Sequence, residues 1–136
     1  MQLLINNIKV IGIFIVIHSI MLPTVGRFWD YAEYFYILIV AYAVFSLALF
    51  FLAGRFFINS TGILIYDCLS FLAITIIFIV GSAYFTDGAF IYLYCPHMFF
   101  IILFNQQTIG MIIAVLASYA AIMAGSITKN GIERIF

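Results

Sequence analysis

Charge is what this chain has least of. Lysine and arginine number five and aspartate and glutamate five in 136 residues, 7 % of the chain, where a soluble domain carries roughly a quarter. So few charged groups cannot furnish a water-exposed surface, and a soluble globular fold is excluded. The formal net charge is zero, which removes the basic surface that direct nucleic-acid binding needs. Cysteine is limited to Cys68 and Cys95, near the beginning of one apolar run and just past its end. They are too far apart to pair along a helix, and both read as buried apolar thiols. Histidine is limited to His18 and His97. A site of the zinc type needs three or four convergent ligands, and Cys95-Pro96-His97 has only His18 to draw on, so no metal or cofactor is expected. Nucleophile elbows, phosphate loops, paired carboxylates and metalloprotease helices are all missing, which argues against an enzyme. No small-x-small cleavage pattern follows the first apolar run, which is expected to be an uncleaved span, and no lipidation motif is visible.

What is present is hydrophobicity. Hydrophobic residues make up 68 % of the chain and the mean hydropathy is +1.29. The runs are long enough to cross a hydrocarbon core of roughly 30 Å as helices, whereas a barrel would show short segments of strict alternation. The expected class is an all-α integral membrane protein of one domain, a four-transmembrane-helix bundle with spans at about 4–22, 34–53, 62–85 and 97–127.

Taken in order, the first span opens with Asn6, Asn7 and Lys9 and is expected to end before Pro23. Asn7 and His18 are eleven residues apart and share a helix face, which suggests that this face looks into protein. A connector, 23–33, mixes Arg27, Asp30 and Glu33 with Phe28, Trp29 and Tyr31, the composition of the headgroup level. The second span has little polarity beyond Tyr42 and Ser46 and is expected to stop at Gly54-Arg55 with much of its surface in lipid. Asn59-Ser60-Thr61 has the form of a glycosylation acceptor but falls on the side assigned below to the cytoplasm, and is discounted. The third span places Asp67, Ser70, Thr75, Gly81 and Ser82 within little more than a third of the helix circumference, the polar face of the bundle.

The region 89–104 is sixteen residues long, interrupted by Pro96-His97 and followed by Asn105-Gln106-Gln107-Thr108. It fits the start of one long helix, a re-entrant element, or a fifth span. Charge separates four spans from five: with four, Lys9, Arg55, Lys129 and Arg134 share one side against Arg27 alone, and with five the count is two against three. Four spans with both termini cytoplasmic are therefore expected.

In the last span small residues recur as Gly110, Ala114, Ala117, Ala121 and Gly125, with Gln107 extending the stripe and Ser118 bordering it. Spacings of four, three, four and four put them on one face, where two helix backbones can approach closely. Homo-oligomerisation is expected, with some of these contacts between protomers.

Asp67 is the acid set well inside an apolar run, and an ionised group there is costly unless it has a partner or water. It lies near the cytoplasmic interface, within reach of water or Arg55, so a structural or assembly role is favoured over ion or proton transport. With His18, Ser70 and Ser82 it forms the candidate intramembrane polar set.

Little of the chain lies outside the bilayer, so it must act within the membrane or through another polypeptide. A very small four-span chain with cytoplasmic termini and no effector domain resembles the membrane subunit of two-gene bacterial anti-phage systems of the Kiwa type. The resemblance rests on architecture and not on a motif, and carries over no individual residue. It implies a sensor or scaffold in the bacterial inner membrane, surrounded by lipid and working with a separately encoded cytosolic partner that binds DNA. The small multidrug transporters are similar in size but rely on an embedded glutamate in the first span, which this chain does not have. An oligomeric channel or transporter is the alternative reading.

Overall fold

The computed structural model describes residues 1–28, 36–84 and 107–133. Five helices occupy them: α1 (Gln2–Phe28), α2 (Tyr36–Phe57), α3 (Leu64–Leu69), α4 (Leu72–Tyr84) and α5 (Gln107–Glu133). With α3 and α4 counted as one interrupted crossing, four helical segments are long and apolar enough to span a membrane: Gln2–Pro23, Ile37–Phe57, Leu64–Gly81 and Ile109–Lys129. The protein is a multi-pass, all-helical membrane bundle.

Three boundaries differ from the sequence reading. Pro23 lies inside α1, which continues to Phe28. Proline removes one backbone donor but holds φ at a helical value, and membrane helices tolerate it where the freed groups are otherwise satisfied. Helix α2 runs past Gly54-Arg55 to Phe57, because Gly54 is a packing position and not a stop. Helix α5 continues beyond 127 to Glu133. The connector 29–35, the ambiguous region 89–104, Cys95-Pro96-His97 and the proposed start of the last span at 97–106 lie outside the described residues.

Contacts at matched heights fix the directions. Gly54 meets Ile122, and Gly125 meets Phe51 and Arg55, while Asn59 meets Lys129. Residue numbers rise together, so α2 and α5 run parallel. The pairs Asn7–Ala73 and Phe14–Phe78 place α1 parallel to α4 in the same way. The α2–α5 pair is the most extensive in the bundle.

Small side chains explain why that pair dominates. Helix α2 buries Ile39, Ala43, Ser46, Phe50 and Gly54, and α5 buries Gly110, Ala114, Ser118, Ile122, Gly125 and Ser126. A methyl group on Gly54 would run into the Ile122 carbonyl, and one on Gly125 into the Phe51 carbonyl. The backbones are thus in direct contact at this crossing. Close approach gives dense van der Waals contact, which replaces the hydrophobic drive that lipid does not supply. Helix α2 leaves much of its surface unburied, as expected, and its buried stripe supplies half of the tightest seam.

At mid-bundle one side chain from each crossing meets at Phe14. Its ring lies 4.8 Å from Phe50, 5.5 Å from Phe78 and 6.0 Å from Tyr119. Tyr119 also stacks on Phe71 at 4.6 Å and shares a hydrogen bond of 3.0 Å with Thr75 Oγ1. The bundle centre is therefore filled by aromatic rings from all four crossings. Among the described residues, 28–33 % of each span is buried within the bundle, and the exposed remainder is apolar surface suited to lipid.

Candidate functional site

Apart from Ser46, Ser118 and the Thr75–Tyr119 pair, most of the described side-chain hydrogen bonds between elements lie at one end of the bundle, where α1 and α3 begin and α2 and α5 end. At the centre of this end is the connector 58–63 between α2 and α3. Apolar helices need few polar atoms, but a connector leaves backbone donors and acceptors that need partners. The neighbouring helices supply that satisfaction.

Asp67, in the first turn of α3, reaches back to the connector. Its Oδ2 accepts from Ser60 Oγ at 2.5 Å, and its Oδ1 accepts from the Thr61 backbone N–H at 2.7 Å and from Thr61 Oγ1 at 2.8 Å. Ser60 Oγ in turn accepts from the Gly62 N–H at 3.1 Å. Gly62 has φ of 76°, a left-handed value that glycine adopts without strain and that turns the chain toward α3. The carboxylate therefore acts as a reversed cap: a helix-borne acid that orders the loop entering its own helix. The groups that reach Asp67 are Ser60 and Thr61, not Arg55.

Asn59 is held from both sides. Its carbonyl accepts from Asn6 Nδ2 at 3.0 Å and its Oδ1 accepts from Lys129 Nζ at 2.9 Å. Asn6 is fully buried, and its own Oδ1 accepts from Gln2 Nε2 at 3.0 Å. One asparagine thus ties α1 and α5 to the connector, while Asp67 ties α3 to it.

Asn7, one residue on, does something different. Its Nδ2 donates to the Leu69 carbonyl at 3.1 Å, and its Oδ1 accepts from the Ala73 N–H at 3.0 Å. Those two backbone groups would be partners in an uninterrupted helix. The Asn7 amide sits between them, and the third crossing is broken at Ser70-Phe71, where both N–H groups turn to carbonyls three residues back, Asp67 and Cys68. A side chain inserted into the ladder is a recognised cause of a helix break.

The expected polar face of the third span is realised only partly. Asp67, Ser70 and Gly81 are buried and Thr75 meets Tyr119, but Ser70 Oγ bonds the Tyr66 carbonyl of its own turn and not Asp67. The side chains of Ser82 and Gln107 lie outside the described residues. Cys68, expected to be buried, is exposed on α3.

His18 and Asn7 both face the third crossing, as their shared helix face suggests. His18 Nδ1 is 3.1 Å from the Phe14 carbonyl oxygen. The residue borders an apolar groove of about 340 Å³ between α1 and α4, with Ile11, Phe14, Ile74, Ile77 and Phe78. The groove is remote from the polar end, and among the described residues no three His, Cys, Asp or Glu side chains gather as metal ligands.

The small stripe is placed within the protomer at Gly110, Ala114 and Gly125, all buried, whereas Ala117 and Ala121 are half-buried at its margin. Ser118 and Ile122 take the central positions instead. Sequence reasoning did not single out Asn6, Asn59, Ser60 or Thr61 as site residues. The available signal was Gln2-Asn6-Asn7 within an apolar run, amides that need partners once buried.

In chemical terms the end is a set of hydrogen bonds that fixes one short connector against every helix around it. Compared with known family models, characterised proteins and solved structures, the chain matches none.

Proposed function

We propose that this chain is a small subunit of a bacterial inner membrane that senses or scaffolds, and that it acts through a separately encoded cytosolic protein. The observation that carries the reading is the concentration of buried polar side chains around the connector 58–63, at the end of the bundle that also bears Lys9, Arg55 and Lys129. The excess of Lys and Arg supports a cytoplasmic position for that end and for both termini. A membrane protein that ties one short connector to every neighbouring helix has a defined surface to offer another macromolecule. The aromatic cluster around Phe14 closes the protomer centre, so an ion pathway would have to run between protomers. With most of each span unburied, assembly into a homo-oligomer fits the same reading, and anti-phage defence is the setting that the architectural resemblance suggests.

The test is purification of the tagged protein from gently solubilised membranes, followed by its Asp67→Leu and Asp67→Asn variants. A stoichiometric cytosolic protein that is retained by Asp67→Asn and lost from Asp67→Leu, with helicity unchanged, supports the reading. A homogeneous oligomer without a second polypeptide that conducts ions in liposomes contradicts it, the more so if Asp67→Asn abolishes conduction while the assembly stays intact.

A further inference from the structure

The break in the third crossing has no proline or glycine behind it, only the back-bonding of Ser70 and Thr75 to their own helix. From Ile63 to Val80 the residues are ones that a membrane helix accepts without interruption. The interruption is bridged from α1, by the Asn7 amide bonded to both the Leu69 carbonyl and the Ala73 N–H. We infer that Ser70-Phe71 is a two-state hinge for which Asn7 is the latch: when Asn7 withdraws, the Ala73 N–H closes on the Leu69 carbonyl and α3 and α4 fuse into one helix.

Three features make both states accessible. Fusion restores the backbone bond that Asn7 interrupts, and the i−3 bonds of Ser70 and Phe71 to Asp67 and Cys68 give way to ordinary i−4 bonds. The withdrawn Asn7 keeps a partner, because its Nδ2 already lies 3.0 Å from the Leu3 carbonyl of its own helix. Little packing holds α3 in place: Leu64, Ile65, Tyr66 and Leu69 are exposed, and Asp67 is its buried residue. Thr75 Oγ1 bonds back to the Phe71 carbonyl at 2.8 Å, a contact that bends helices and favours the junction as the pivot. Motion of α3 is transmitted directly, since Asp67 grips Ser60 and Thr61. The hinge would reorient the connector without disturbing the α2–α5 seam. It stands on this geometry whether or not a cytosolic partner exists.

The test is a distance measurement by pulsed electron resonance on the full chain in nanodiscs. Spin labels are placed at Ile65 and Ile79, both exposed, with Cys68 and Cys95 replaced by serine. A continuous helix sets these positions roughly 21 Å apart, from fourteen residues at about 1.5 Å each. The native chain is expected to show two components, the minor one at the continuous-helix distance. Asn7→Leu should enlarge that component at least several-fold. Leu72→Pro should abolish it, because proline is welcome in the first turn of α4 but its ring collides with the Cys68 carbonyl in a fused helix. The double variant should behave as Leu72→Pro alone. A distribution unchanged by Asn7→Leu overturns the hinge. Should Asn7→Leu fail to fold, the native chain and Leu72→Pro still decide: a native distribution without the continuous-helix component, or one that Leu72→Pro leaves intact, overturns it equally.

Discussion

Replacing Asp67 by leucine removes an acceptor of three hydrogen bonds, from Ser60 Oγ, Thr61 N and Thr61 Oγ1. The two hydroxyls can turn elsewhere: Thr61 Oγ1 already lies 3.2 Å from the Ile63 carbonyl. The Thr61 N–H has no such freedom. That donor is only part-buried, so losing its charged acceptor costs about 1–2 kcal/mol, and the two hydroxyl bonds together add about 1–2 kcal/mol after re-pairing and partial access to interfacial water. The connector should therefore open more easily by about 2–4 kcal/mol, which is roughly 30- to 700-fold in a local equilibrium constant at about 1.4 kcal/mol per decade. Asp67→Asn retains one oxygen for both Thr61 bonds and turns an amide N–H toward Ser60 Oγ, which already accepts from Gly62. Its effect should stay near tenfold or below. Hydrogen exchange of a peptide covering 58–66 in nanodiscs reads the opening directly, because exchange of a protected amide reports local unfolding. The expected order is native, then Asn, then Leu. Equal exchange in all three, or an Asn variant as open as the Leu variant, would refute the hydrogen-bond argument; the second result would make the charge itself essential.

Other perturbations test the bundle. Gly125→Leu or Gly54→Leu must force a wider spacing on backbones that are in contact, so both should lower thermal stability and expression by the equivalent of at least the 1–3 kcal/mol typical of overpacking, assayed by fluorescence-detected size exclusion after heating. Dissociation of an oligomer into stable protomers, with unchanged melting, would mean that the seam is intermolecular. Phe14→Ala removes the ring shared by all four crossings and should cost about 3–5 kcal/mol, measured by unfolding in mixed micelles. Tyr119→Phe keeps the stacking on Phe71 and loses the Thr75 bond, about 0.6 kcal/mol for a hydrogen bond between membrane helices.

The helical membrane class was legible because length and hydropathy dictate it, whereas choosing four spans over five needed the Lys/Arg count as well. Helix pairing was legible from α5 and not from α2. Gly110, Ala114 and Gly125 stand out against larger neighbours, but the buried line then passes through Ser118 and Ile122, which no size pattern marks. In α2 the buried Ile39, Ala43, Ser46 and Phe50 lie among residues just as apolar, so periodicity cannot tell protein from lipid. Pro23 suggested an end because proline stops helices in water, whereas in α1 it removes one donor and the helix continues. Asp67 was conspicuous as an acid among apolar residues, yet its partners were hidden in a tripeptide whose form suggested glycosylation. The break at Ser70-Phe71 left only a weak local signature in Ser70 and Thr75, and the amide that bridges it, Asn7, lies 63 positions earlier than Ser70 in the chain.

The central claim, that the connector end is the surface through which this protein acts, is tested most directly by placing a photo-crosslinking residue at Ile63, which is exposed beside the clasp, and illuminating intact cells. The expected result is one cytosolic adduct, the product of an adjacent gene, formed from position 63 and not from Ile15 or Ile79 within the spans. Adducts confined to lipid or to further copies of the chain, or a position 63 reached only by periplasmic proteins, would contradict the account.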